Sequence, residues 1–167
     1  LWPYLLIAAY GVFFLVWSHL GLRHGLGDFA GFYAWHPSGF YLIARLLSTA
    51  ASLGACAVLW RLEKRRHPER MPWAALVLAF CPVIVEVAHS AKPDCLMLLL
   101  SSLGWAFALE VYDTGGRRAH WLSGASFGLA MAAQYTALPA VLALPAASLL
   151  SRYRPPKRWL AEGLVAV

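Results

Sequence analysis

His89-Ser90-Ala91-Lys92-Pro93-Asp94 is a polar, charged hexapeptide set between two strongly apolar runs, Pro72 to Ala88 and Cys95 to Tyr112. Each flank has about the length that crosses a bilayer, because a spanning helix needs ~20 mainly apolar residues and sometimes as few as ~17. Two such runs joined by a short polar turn read as a helical hairpin with its turn at one membrane face. Charge at that turn is either interfacial decoration or a binding site, and the remainder of the chain favours a site.

Hydrophobic residues make up 60% of the 167 positions and charged residues 13%, with a mean hydropathy of +0.60. Soluble domains carry about 25% charged residues, so the composition is that of a membrane protein. The predicted fold class is all-α, a polytopic transmembrane helical bundle. The chain opens on Leu1-Trp2-Pro3 and closes on Val165-Ala166-Val167 in mid-pattern, which reads as a segment of a longer polytopic protein. No basic n-region or small-residue cleavage site marks a signal peptide.

The formal charge of +6 is distributed in a way that excludes nucleic acid as a partner. Eleven of the fourteen Lys and Arg residues fall in three short loops: Arg61 to Arg70, Arg117-Arg118, and Arg152 to Arg158. That is the positive-inside pattern, and it assigns all three loops to the cytoplasmic face. A nucleic-acid binder would present its basic residues on one face of a soluble scaffold. Cys56, Cys81 and Cys95 have no metal-ligand spacing, and their odd number forms no complete disulfide framework; they read as small core residues.

Taken together, these signals divide the chain into an extracytoplasmic loop with an interfacial helix (1–40) and a transmembrane helical module (41–167). Within the module, spans are expected at about 41–60, 72–88 and 95–112, with a short helix pair at 121–150 and the start of a further span at 159–167. The pair has basic loops at both ends, so it enters and leaves on one side. Its halves of about 15 residues reach only ~22 Å at 1.5 Å per residue, short of the ~30 Å hydrocarbon core. Gln134-Tyr135-Thr136 is polar at the midpoint, and Pro139 and Pro145 break the second half. Irregular backbone at that depth is tolerated where protein buries it or where it lines a wet cavity. The apolar helical stretch Tyr4 to Trp17 is a full span or an interfacial helix on the outer face.

Three basic residues, Arg23, Arg45 and Lys92, stand outside the cytoplasmic loops. Arg45 lies inside an apolar span, where it either snorkels to the headgroups or faces the protein interior and holds an anion. An Arg and a Lys converging on one face suit a phosphate. Lys92-Pro93-Asp94 also has a local reading, since proline and an acidic residue suit the first turn of a helix. A salt bridge from Glu86 or Asp94 to Lys92 is a further alternative. His36 ends a loop before a helix. Gln134 is a buried amide satisfied by a neighbouring helix, or a polar group offered to a ligand.

Three motifs in order resemble the GT-C superfamily of polytopic glycosyltransferases, in the protein-mannosyltransferase-like branch that also contains aminoarabinose transferases. The first is a Pro-containing turn followed by "Arg-Leu-Leu-Ser", here His36-Pro37-Ser38 and Arg45-Leu46-Leu47-Ser48. The second, "Ser-His-Tyr-Ala-Lys-Pro-Asp", is matched with altered order by His89 to Asp94. The third, "Gly-Leu-Ala-x-x-x-Lys-Tyr-Thr-Ala-Leu", is matched by Gly128 to Leu138. Two departures stand out: Gln134 where the pattern has lysine, and His36 where aspartate is often found.

The resemblance implies an inverting transfer of a sugar from a polyprenyl-phosphate carrier to a glycan, lipid or protein acceptor. The protein would be a multi-pass plasma-membrane enzyme with its active site on the extracytoplasmic side. It implies phosphate ligands at Arg45 and Lys92, and a site lined by His89, Asp94, Gln134 and Tyr135. The catalytic carboxylate is expected upstream of Leu1, and the resemblance leaves any divalent metal open. The competing readings are a membrane transporter, whose substrate sites also use broken helices, and a non-catalytic subunit or inactive homologue.

Overall fold

The computed structural model describes residues 1–20, 26–35, 37–151 and 165, and every regular element among them is helical. Two helices precede the main bundle: α1 (Trp2–His19) and α2 (Leu26–Trp35). The bundle itself opens with α3 (Pro37–Arg66), 30 residues long. No proline interrupts it after its first residue, and it stops just ahead of His67-Pro68, where the ring of a proline disfavours helix in the residue before it. At 1.5 Å per residue it is about 45 Å long, longer than the ~30 Å apolar thickness of a bilayer.

The stretch 72–88 is helical in two pieces, α4 (Trp73–Phe80) and α5 (Pro82–Ala88). Pro82 brings no N–H and excludes helical geometry from the residue before it. Cys81 accordingly sits in extended backbone between them, at φ −68°, ψ 116°. After the polar turn, α6 (Asp94–Thr114) runs 21 residues and ends on Gly115, whose φ of 63° is a left-handed conformation that glycine adopts without steric cost. Helix α7 (Arg117–Ala133) follows at once. It gives way to a 3-10 turn (Tyr135–Ala137) and two short helices, α8 (Leu138–Val141) and α9 (Ala143–Leu150). Among the described residues, α1, α3 and α6 are long and apolar enough to cross a membrane.

The core is built where α6 meets its neighbours. Phe127 of α7 is fully buried and lies against Gly104 of α6, so closely that a Cβ at position 104 would stand 2.7 Å from two of its ring carbons. The Ser123 hydroxyl donates to the Gly104 carbonyl at 3.0 Å alongside. Ala108, Val111, Ala119, Ala143 and Leu144 complete this cluster. On the other side of α6, Leu99 packs against Gly54 of α3, and Ala51, Ala88 and Cys95 close a second cluster. Small residues at both contacts let helix axes approach closely, which is how helices associate in lipid.

Polar contacts fasten the two ends of the bundle. At the end carrying the basic loops, the Glu63 carboxylate accepts from the Ala74 and Ala75 amides at 3.0 and 3.3 Å, supplying the acceptors that the start of α4 lacks. The Lys64 ammonium donates to the Pro68 and Arg70 carbonyls, and Arg66 pairs with Asp113 at 2.6 Å. The chain from α7 to α9 goes out and returns to this end. The fully buried His120 of α7 meets Ser148 of α9 at 3.1 Å, and the Ser151 hydroxyl donates to Tyr112 at the end of α6.

Replacing Gly104 by alanine is expected to cost about 1–3 kcal/mol of stability, because the added methyl overpacks the Phe127 contact. Thermal unfolding of the full-length protein in lipid nanodiscs would show a lower midpoint. Adding Phe127→Leu to Gly104→Ala should return part of the loss, since the two residues contact and their effects are coupled.

Candidate functional site

At the end of the bundle opposite the basic loops, the His89–Asp94 turn packs on α3. The Ser48 hydroxyl donates to the Lys92 carbonyl at 3.3 Å, and the Thr49 hydroxyl donates to the Ala88 carbonyl at 3.2 Å. Ala88 ends α5 and Lys92 lies in the turn that follows, so the hydroxyls replace the amide donors that a continuing helix would have supplied. Ser48 stands three residues after Arg45, which puts both on adjoining turns of one side of α3. The turn and Arg45 therefore share a level along the bundle. Arg61 follows Arg45 by 16 residues, a rise of about 24 Å.

Arg45 is exposed, and its guanidinium carbon lies 4.4 Å from the centre of the Tyr41 ring. That stacking orients the fork without using its N–H donors. Lys92 is exposed as well. Among the described residues neither cation is in an ion pair, so the Glu86–Lys92 and Asp94–Lys92 bridges considered above do not form. Asp94 opens α6 without a side-chain capping bond. The His89 ring is set by its Nδ1, which lies 2.7 Å from the Val85 carbonyl. A carbonyl only accepts, so Nδ1 carries the hydrogen, and in the neutral ring Nε2 is left as an acceptor.

The tip of the α7–α8 segment reaches the first turn of α6. Thr136 donates to the Met97 sulfur at 3.3 Å, three residues on from Asp94. Tyr135 beside it is 82% exposed. Gln134 ends α7 in extended backbone, at φ −159°, ψ 125°. Its side-chain Oε1 is buried, and among the described residues it has no hydrogen-bond partner. The neighbouring-helix amide bond considered for Gln134 is therefore not made by that atom. Leaving a buried acceptor unpaired costs about 1–3 kcal/mol.

Aromatic packing builds the outer rim. Phe40, 2% exposed, makes ring contacts with Tyr10 and Phe13 of α1 and with Phe32 and Tyr33 of α2. The Tyr10 hydroxyl donates to the Phe40 carbonyl at 3.2 Å. Helix α1 is thus anchored at this end of the bundle. Between the rim and the turn lies an open hollow of about 410 Å³, bordered by Tyr10, Tyr33, Tyr41, Ala44 and Ala91. A hollow of about 490 Å³ lies at the opposite end, between Arg61, Arg65, Glu110 and Asp113. It is remote from every residue singled out by the motifs.

His89, Lys92 and Asp94 thus share one turn, Arg45 stands three residues before the Ser48 that bonds this turn, and Thr136 brings the tip of the α7–α8 segment to the helix that starts there. His36 and Arg23 lie outside the described residues, as does most of 159–167. Ser48, Thr49, Tyr41 and Met97 hold the arrangement together and were not recognised as doing so from the sequence. The available signal was the pair of hydroxyls three and four residues after Arg45 in an otherwise apolar helix. Among the described residues no three His, Cys, Asp or Glu side chains are grouped to hold a metal ion.

An all-helical bundle with three helices of membrane-crossing length and composition is that of an integral membrane protein. The chain belongs to the dolichyl-phosphate-mannose-protein mannosyltransferase family, whose model matches residues 39–167. It is a membrane glycosyltransferase-like chain, and the family in general uses lipid-linked sugar donors. No curated protein and no solved structure matches it.

Substituting Ser48 by alanine together with Thr49 by valine should release the turn, since each hydroxyl bond contributes about 0.5–1.5 kcal/mol. Hydrogen exchange of the full-length protein in nanodiscs should then quicken at residues 88–93 and stay unchanged at 104–111.

Proposed function

We propose that this chain is part of an inverting glycosyltransferase that takes a sugar from a polyprenyl-phosphate carrier and passes it to an acceptor on the extracytoplasmic face. The observation that carries the reading is the Ser48–Lys92 hydrogen bond. It holds the Lys92 backbone beside the turn of α3 that follows Arg45, and both cations are exposed and without carboxylate partners among the described residues. Two cations at one level suit an anion, and a phosphate diester is the one the family's donors supply.

In this reaction the bond between the sugar's anomeric carbon and the phosphate oxygen breaks, and the bonding electrons leave with the phosphate. Arg45 and Lys92 stabilise the charge that develops there, which lowers the barrier because they are already in place when it forms. The acceptor hydroxyl attacks from the opposite face of the sugar and inverts the anomeric centre. Its proton goes to a carboxylate, which we assign to the part of the protein upstream of Leu1. His89, Asp94, Gln134 and Tyr135 line the sugar side of the site. The hollow beside Tyr41 and Ala91 suits the first apolar units of the carrier, since its walls are mostly aromatic and aliphatic.

The decisive experiment supplies radiolabelled polyprenyl-phosphate sugars to the full-length protein in lipid. Arg45→Ala and Lys92→Ala should each lower transfer by about 10²-fold or more, the usual cost of removing one stabiliser of developing charge, with folding intact. Transfer unaffected by both changes would overturn the phosphate assignment.

Sidedness has its own check. In a background without native cysteines, Lys92→Cys should react with a membrane-impermeant maleimide applied to intact cells. Arg117→Cys should react only after permeabilisation. The reverse pattern would place the turn in the cytoplasm and remove the outward-facing site.

A further inference from the structure

We propose that Gln134 is a specificity-determining residue that accepts a hydrogen bond from a hydroxyl of the donor sugar. The inference deepens the reading above and rests on it. Its basis is the orphaned side-chain oxygen. Buried acceptors in folded proteins are almost always paired, and among the described residues the Gln134 Oε1 is buried without a partner.

The local backbone is not short of bonds. The Gln134 amide donates to the Ala130 carbonyl at 2.9 Å, and the Gln134 carbonyl accepts from the Ala137 amide at 3.1 Å. Only the side chain lacks a donor. The extended geometry at φ −159°, ψ 125° ends α7 at this residue. The Thr136–Met97 contact then holds the tip on the opening turn of α6, directly after Lys92-Pro93-Asp94. A lipid phosphate held by Arg45 and Lys92 would present its sugar on this side.

The chemistry of the group decides which part of the donor it meets. An amide oxygen accepts from O–H or N–H and repels phosphoryl oxygens, which are acceptors themselves. A lysine at the same place would do the opposite, with three donors and a full charge suited to phosphate. Glutamine here therefore suits a hydroxyl of the sugar and not the phosphate. A site built to pair with a substrate hydroxyl rejects a ligand that lacks it, because its own polar group is then left unpaired.

The test measures binding of two probes, polyprenyl monophosphate and polyprenyl-phosphate mannose, to full-length protein in nanodiscs. Wild type should hold the mannose-bearing lipid more tightly. Gln134→Met, similar in shape but without the amide, should weaken the mannose-bearing lipid by about tenfold, the order expected for one lost hydrogen bond in a buried site, and leave polyprenyl monophosphate unchanged. Gln134→Lys should tighten polyprenyl monophosphate and abolish the preference for the sugar. Arg45→Ala should weaken both probes alike.

Equal weakening of both probes by Gln134→Met, or of neither, overturns the inference while leaving the phosphate assignment standing. So does a wild type that binds the two lipids equally. A lower unfolding temperature for Gln134→Met with the lipid preference intact also overturns it, by assigning the missing donor to another part of the protein. If wild type binds neither lipid, the donor reading itself fails and takes this inference with it.

Discussion

Phe127 occupies the space that a side chain at position 104 would need, and the arrangement of α6 between α3 and α7 depends on that contact. Between helices in lipid there is little hydrophobic force to draw them together, because the surrounding chains are as apolar as leucine. Close packing must supply the attraction, and it needs small residues on one side. Gly104 receives Phe127, Gly54 receives Leu99, and alanines fill most of the remaining contact. Helix α6 is therefore gripped from both sides and serves as the strut to which both polar ends of the bundle are attached.

Those two ends solve the same problem with different groups. A chain that turns at a membrane face exposes amides and carbonyls that helices would otherwise pair. At the basic end, Glu63 and Lys64 take up the free amides and carbonyls around residues 68–75, so charged side chains are consumed in closing the loop. At the other end, the neutral hydroxyls of Ser48 and Thr49 perform that task. Lys92 and Arg45 are thereby left without carboxylate partners among the described residues. The two ends thus close their turns with different chemistry, charged groups at one and neutral hydroxyls at the other.

Several features were legible in the residues alone, each for a local physical reason. The apolar run 95–112 lies within helix Asp94–Thr114, because an unbroken apolar segment in a membrane has to satisfy its backbone internally. Pro139 and Pro145 were visible breakers, and the chain divides near the first of them, whereas 72–88 was expected as one span and is divided at Pro82. The extent of α3 was less legible. Its apolar segment starts at Tyr41, yet helix continues back to Pro37, where Phe40 is buried under the aromatic residues of α1 and α2. Composition at 37–40 carries no sign of that cover. Nor does the sequence around His120 announce a fully buried imidazole, since its partner Ser148 is 28 residues away.

By itself the sequence determined an all-helical membrane protein, the placement of its basic loops and the motifs of its family, because hydrocarbon excludes unpaired backbone and because charge must collect where water is. Only the tertiary structure decided which polar side chains are spent on holding the bundle and which remain available. Ser48 and Lys92 are 44 residues apart, and their contact follows from how α3 and α6 pack. The Gln134 oxygen that has no partner among the described residues likewise follows from where α7 ends against α6. Such relations arise from packing at Gly54 and Gly104, and a pattern of neighbouring residues along the chain does not encode them.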